Sequence, residues 1–259
     1  MRSEGSARGI LFGFHPVTAR LRDGAHTVRE IYVDAARQDA RLRELVAVAQ
    51  QHGVRVIATD ARRLDGLSGG AAHQGVVARI ERVEQPRDVG ALLDAREEPP
   101  FLLLLDGVTD PHNLGACLRT ADAMGVHGVI VPRDRSVGLN ATVAKVASGA
   151  AESVPLISVP NLVRAMEALQ EAGVWLVGAA AEGTESVFEA RFDGPIGWVL
   201  GAEGQGLRRL TRERCDRLVR IPMLGRVESL NVSVAAALCL YETRRQRTMR
   251  TLAVPKTTS

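Results

Sequence analysis

Three segments of the chain break an apolar run with polar residues able to bind a ligand: DPHNLGACLRT (110–120), VLGAEGQGL (199–207) and IPMLGRVESLNVSVAAALCLYE (221–242). The first contributes Asn113 and Arg119, the second Glu203, the third Ser229 and Asn231. Asn113, Ser229 and Asn231 each stand where a helix N-cap is expected, so capping is a sufficient explanation for any one of them. Arg119 lies well round the helix from Leu114, Cys117, Leu118, Ala121 and Met124, which recur at helical spacing, and a solvated arginine would suit that place. Yet all three segments follow a buried strand, and open α/β sheets place their ligands at the carboxyl ends of strands. Three caps by coincidence are harder to accept than one polar site.

The glycines of the second segment, Gly201, Gly204 and Gly206, fall in the order GxxGxG. The dinucleotide fingerprint is GxGxxG after a first strand, so a nucleotide-dependent oxidoreductase fails on glycine order. Glycines at this density still permit close backbone approach to a ligand. The six histidines, His15, His26, His52, His73, His112 and His127, are isolated, and no P-loop, GxSxG elbow or HExxH is present. His112 adjoins Asn113 and could act as a base or simply fill the turn.

Very apolar short runs at 101–108, 128–132, 154–159, 174–180, 198–203 and 216–223 must position these segments. Helical patterns separate most of them, which predicts a parallel sheet covered on both faces. A long helix closes the chain. Ahead of them, 29–35, 54–60 and 75–83 read as strands and 40–53 as an amphipathic helix with a glycine stop, a small α/β unit. Expected boundaries are 1–83 for this unit, 84–100 for a linker in which charges and prolines flank one short helical patch, 101–250 for the larger domain and 251–259 for a tail. The basic run TRRQRTMR near the C-terminus reads as the solvated end of a helix.

Composition narrows the class. The chain has 259 residues, 46% hydrophobic and 24% charged, an ordinary globular balance. A net charge of +3 leans weakly toward a polyanionic partner, and 3% aromatics leaves little for base-stacking platforms. Cys117, Cys215 and Cys239 have no metal-site spacing and fit buried thiols in a reducing cytosol. Without a signal-peptide pattern or a long apolar run, a cytoplasmic protein with no membrane contact is expected.

The three segments, in this order, resemble the motifs of the SpoU/TrmH-type branch of the SPOUT RNA methyltransferases, and LNATVAKVASGAAESVPL (139–156) resembles the region between the first two. The likeness spans about 101–247. FGFHPV (12–17) and HQGVVA (73–78) are similar to the L30e-like substrate-binding domain of one subgroup, the bacterial large-subunit (23S) ribosomal RNA guanosine-2'-O-methyltransferases. The resemblance implies a C-terminal domain tied in a deep trefoil knot, with S-adenosylmethionine (SAM) as co-substrate and no metal. It implies a homodimer whose active site draws on both subunits. The knot is implied by the resemblance alone, since folded chains almost never thread their own loops.

Carried over by position, the resemblance puts Asn113 and Arg119 at the reacting ribose, with Glu203 holding the arginine and Ser229 and Asn231 completing the polar site. Gly201, Gly206, Ile221, Met223 and Leu230 would line the SAM pocket. Arg119 is better suited to stabilise a developing alkoxide than to act as a base, because a guanidinium stays protonated. Arg62, Arg63 and the loop around His73 are candidates for RNA contact. Methyl-transfer motifs do not encode the target, so a transfer RNA, another ribosomal site, or a catalytically silent RNA-binding role are the rival expectations.

Overall fold

A computed structural model describes residues 8–70, 73–81, 86, 88–94 and 98–253. The chain divides between residues 84 and 85 into two compact units.

The first unit runs β1 (Arg8–Phe12), α1 (Phe14–Gly24), β2 (Val28–Asp34), α2 (Ala40–Gln51), β3 (Arg55–Thr59), α3 (Ala61–Ser68) and β4 (Val76–Glu81). Its four strands lie in the order β1-β4-β2-β3, with β2 and β3 parallel and the other pairs antiparallel. Asp39 and Asp60 cap α2 and α3 by accepting from the amides of Leu42 and Arg63. Phe14, Val17 and Leu21 of α1 and Leu42, Leu45 and Ala49 of α2 fill one core with Ile31, Val33 and Ala78. The segment GLSGGAAHQ (66–74) is rich in turn residues, yet its first three residues belong to the helix α3. Only Leu64 of that helix is buried, and Gly66 within it and Gly69 and Gly70 just beyond it read as turn residues.

The second unit runs α4 (Val89–Asp94), β5 (Phe101–Asp106), α5 (Pro111–Ala123), β6 (Gly128–Pro132), α6 (Ala141–Ala147), α7 (Ala150–Ser153), β7 (Leu156–Val159), α8 (Leu162–Glu171), β8 (Trp175–Ala179), β9 (Glu185–Ser186), β10 (Ile196–Gly201), α9 (Arg209–Arg214), β11 (Arg217–Arg220) and α10 (Val232–Ala253). Seven strands form one sheet in the order β7-β6-β5-β10-β8-β11-β9, and every neighbouring pair is parallel. The expected α/β fold with a parallel sheet is therefore present. Because side chains alternate across a strand, Phe101, Leu103 and Leu105 pack on one face with α5 and α10, while Leu102 and Leu104 pack on the other with α4 and α8. All six residues of β5 are buried, as a strand covered on both faces requires.

Two expectations need correction. The segment 84–100 is not simply a linker: its helix α4 buries Leu92 against Leu102, Leu104 and Ile130, although 84, 85, 87 and 95–97 lie outside the described residues. The basic run at the end of α10 is not simply solvated either. Arg244 donates to the carbonyls of Met124 and Gly125, and Arg247 to those of Pro99, Pro100 and Gly194. Both guanidinium groups lie over the Phe101 ring. Burial and the neighbouring Arg244 pull the Arg247 guanidinium down to about 10. The tail beyond Ala253 lies outside the described residues.

Candidate active site

The sheet order creates the site. From β5 the chain turns through α5 to β6 on one side, and from β10 it turns through α9 to β11 on the other, although β5 and β10 are neighbours. Diverging connections leave a crevice at the carboxyl ends of that pair, the usual ligand position in an open α/β sheet. Asp106 and Gly201 face each other in register at this end.

Helix α5 starts with Asp110, whose carboxylate accepts from the His112 amide, and with Pro111 at the first helical position, where a missing N–H costs nothing. The capping role is thus filled, and Asn113 is not the cap. It sits inside the first turn, buried against the crevice. Its Nδ2 donates to Glu203 Oε2 at 3.3 Å, and its Oδ1 accepts from Asn231 Nδ2 at 2.9 Å. Asn231 Nδ2 also donates to Glu203 Oε1 at 2.8 Å. Asn231 does cap its helix: its Oδ1 accepts from the Ser233 amide at 2.9 Å and the Ser233 hydroxyl at 2.6 Å. One loop after each of β5, β10 and β11 therefore delivers one member of an Asn113–Glu203–Asn231 cluster.

Arg119 and Ser229 are not part of it. Both are exposed, and neither side chain makes a hydrogen bond or ion pair with the described residues. The expected Glu203–Arg119 contact is absent within one chain, because the two asparagines occupy the Glu203 carboxylate. Helical geometry explains the separation. At 100° per residue, Arg119 points roughly 120° away from Asn113 on α5.

The glycine loop is built as its spacing demands. A Cβ on Gly201 would stand 1.9 Å from the Gly206 carbonyl carbon, where backbone crosses backbone. The Gly206 amide donates to the Ala202 carbonyl at 2.9 Å, and Gly204 and Gly206 take positive φ. Gly201 is thus explained by the loop folding on itself, and Gly206 leaves open space where a Cβ would be. Ile221, Met223 and Leu230 are half-buried in the loop after β11. Among the described residues, the main-chain groups of 221–230 form no backbone–backbone hydrogen bond, and Leu224 and Val227 are exposed there.

One structural member was missed in the sequence. Asp106, whose side chain is 0% exposed, accepts from Arg208 Nε at 2.7 Å and from the Arg208 amide at 3.1 Å, and pairs with Arg208 Nη2. This clamp ties the end of the Glu203 loop to the strand that leads into Asn113. Asp106 is the polar ending of FLLLLD, a strand otherwise entirely apolar, which was the available signal.

In the first unit, Arg62 is exposed and Arg63 lies 5.6 Å from the Tyr32 ring. His73 Nδ1 accepts from the Gly75 amide, so its Nε2 is the nitrogen that faces Asp65, at 3.1 Å. Gln74 beside it has φ of 51°, and its carbonyl accepts from Arg37.

The SpoU rRNA Methylase family matches residues 100–241, which contain the whole cluster. The chain belongs to the SpoU rRNA methylase family. An RNA 2'-O ribose methyltransferase substrate-binding family matches residues 10–86 of this SpoU methylase. It is 58% identical to the 23S rRNA (guanosine-2'-O-)-methyltransferase RlmB of Ralstonia nicotianae over 240 residues, 93% of this chain and 96% of that one. The RlmB of Neisseria meningitidis is 52% identical over 93% of this chain and 96% of its own. Among solved structures, the SpoU methyltransferase AviRb of Streptomyces viridochromogenes, in complex with the cofactor AdoMet, superposes with a TM-score of 0.63 at 30% identity. That match covers 93% of this chain and 91% of AviRb. This SpoU methylase is a SAM-dependent RNA methyltransferase. No helix among the described residues is long and apolar enough to cross a membrane.

Proposed function

We propose that the protein methylates the ribose 2'-hydroxyl of one guanosine in 23S ribosomal RNA, the reaction for which its RlmB relatives are named. The observation that carries this reading is the hydrogen-bonded Asn113–Glu203–Asn231 cluster at the β5–β10 crevice of a chain so similar to them.

SAM fits the loop after β11 and the glycine loop. Half-buried Ile221, Met223 and Leu230 offer apolar contact, the unspent main-chain groups of 221–230 offer hydrogen bonds to a base edge, and Gly206 leaves space for close approach. When bound, SAM supplies an electrophilic methyl group on a sulfonium. The chain's own residues then orient the acceptor. The amides of Asn113 and Asn231 are locked by Glu203 and by the α10 cap, so they present fixed dipoles to a ribose, and orientation supplies much of the acceleration. A guanidinium near the 2'-oxygen favours the alkoxide that develops as the proton leaves to water or a phosphate.

Arg119 makes no hydrogen bond or ion pair with the Asn113 cluster of its own chain, so the reading takes the protein as a homodimer in which the partner's copy of α5 brings that guanidinium to the ribose. Val234, Leu238 and Tyr241 support this: they form an exposed apolar stripe on α10, which packs beside α5. The same reading takes the second unit as a knotted SPOUT domain and the first as an L30e-like RNA-binding domain, with Arg62, Arg63 and the His73 loop toward the RNA. The match of residues 10–86 to a substrate-binding family supports the latter.

The test is methylation of unmodified 23S ribosomal RNA with tritiated SAM, followed by mapping of 2'-O-methyl sites. A single guanosine labelled by the wild type and lost in Arg119→Ala is expected. Label in transfer RNA instead would overturn the target, and label in no RNA would overturn the reaction. Arg119→Lys is expected to fall at least about tenfold, since lysine lacks the planar fork; near-normal turnover would remove the guanidinium's special role.

A further inference from the structure

At the other end of the sheet from the cluster lies a cleft of about 210 Å³, lined among others by Trp175, Val177, Arg191, Asp193, Ile196 and Arg217. Ligand pockets for drug-sized molecules start near about 300 Å³, so this one suits a single flat ring and its substituents. Its floor is apolar, because Val177 and Ile196 are buried strand residues. Its wall is Trp175, the first residue of β8, which is 58% exposed although its backbone is fixed by donation to the Pro195 carbonyl at 3.1 Å.

Trp175 differs from the other rings near arginines. Arg37 and Arg41 cover Phe14, Arg63 and Arg79 cover Tyr32, and Arg244 and Arg247 cover Phe101. Trp198 packs on Phe192 and its indole donates to Thr243. No described arginine or ring stacks on Trp175, and its indole N–H donates to no described residue, although two arginines line the same cleft. Arg217 is held by Glu185 and Asp193 is engaged by Arg250, but the exposed Arg191 makes no ion pair or hydrogen bond with the described residues. An open ring on a fixed backbone, in one cleft with a guanidinium that has no partner among the described residues, is the pair of groups that a nucleotide requires, the base stacking on the indole and the phosphate taking the charge.

We infer that this cleft is a second RNA-binding site that holds one unpaired nucleotide of the substrate, its base on Trp175 and its phosphate on Arg191. The inference rests on the chain acting on RNA. Trp175 pairs in register with Ile196, five residues from Gly201 along the neighbouring strand. The cleft is therefore roughly 17 Å from the glycine loop at 3.3 Å per residue, so the nucleotide held there is not the one that reacts. Stacking accepts any base, so the site would add affinity and tether the RNA rather than choose the guanosine.

The chain has two tryptophans, and Trp198 is fully buried, so iodide-quenchable fluorescence reports Trp175 alone. The full chain would be titrated with a 23S ribosomal RNA fragment that the wild type methylates and, separately, with a short unstructured oligoribonucleotide. Both are expected to quench Trp175 and shield it from iodide. In methylation assays Trp175→Ala should raise the KM for the fragment at least about fivefold, the lower end of what one stacked base contributes, and leave kcat unchanged. Trp175→Phe should restore most of the affinity, and Arg191→Ala should lower the salt dependence of binding by about one released counterion. The residual Trp198 signal verifies the fold of the Trp175 variants. Unchanged KM in Trp175→Ala, or an indole equally open to iodide with and without RNA, would overturn the site while a methylating wild type leaves the enzymatic reading intact. Shielding that grows with protein concentration in the absence of RNA would also overturn it, in favour of a second copy of the chain.

Discussion

Asn231 carries two roles on one amide. Its oxygen caps α10 through Ser233, and its nitrogen donates to Asn113 and Glu203. Substitutions can separate them. Asp at this position keeps a capping oxygen, since Asp and Asn cap about equally well, but replaces the donor with a second acceptor that faces the Glu203 carboxylate. Asn231→Asp is therefore expected to keep the cap, to melt below the wild type because two carboxylates then face each other, and to lose methyl transfer by about a hundredfold or more. Asn231→Ala removes both roles and should also cost about 1 kcal/mol of stability. Thermal melts and single-turnover methylation of the two variants provide the check. If both variants kept wild-type turnover, the cluster would be structural and the ribose would lie elsewhere. That an asparagine can cap and bind at once is also why the sequence left its role open. At Asn113 the same ambiguity is removed only by seeing Asp110 take the cap.

At the scale of elements, the clamp between Asp106 and Arg208 joins the two loops that must meet. Its halves are unequal, because the Asp106 side chain is 0% exposed and that of Arg208 is 35% exposed. An orphaned guanidinium could turn to water, whereas an orphaned carboxylate would stay buried. Arg208→Ala should thus destabilise by about 3 kcal/mol or more and Asp106→Asn by less, with both lowering kcat through a displaced Glu203 loop. Urea unfolding of the pair measures the order; equal losses would mean that the carboxylate reaches solvent once freed. The clamp was not legible in the sequence, where its partners lie 102 positions apart. Elements with their own local signal were legible. FLLLLD reads as a doubly covered strand and is one, the runs at 128–132, 154–159, 174–180 and 216–223 each contain a strand of the sheet, and the run at 198–203 overlaps β10, which starts two residues earlier at Ile196. By contrast α1 and α3 were not legible as helices, although Phe14, Val17 and Leu21 stand at helical spacing, since Pro16 near the start of α1 and Gly66 inside α3 read as breakers. The arginines of α10 were misread because carbonyl partners such as that of Gly194 leave no mark on composition.

For the molecule as a whole, each unit fills its own core, and the buried thiols tie the larger one to pH. Burial pushes Cys117 and Cys239 up to about 12 from an ordinary 9.0. A raised folded value means that the unfolded chain loses these protons first, so stability is fully present below about pH 9 and declines as pH rises toward 12. The urea midpoint should fall over that window, and less steeply in Cys239→Ala; equal slopes would assign the decline to other groups. The boundary between the units makes a sharper test. Leu92 of α4 is 1% exposed, lies beside Leu102, Leu104 and Ile130, and sits where a Cβ on Gly128 would meet it at 2.8 Å. A fragment cut at residue 101 strips this leucine from the core, whereas one cut at residue 85 retains it. The shorter fragment should therefore be less stable by about 1.5–3 kcal/mol, the value of burying one leucine, and more if the surrounding apolar surface does not collapse. Adding Leu92→Ala to the longer fragment should reproduce most of that loss. Equal urea midpoints for the two fragments would show that α4 only covers the sheet, and that the larger unit begins, energetically, at Phe101.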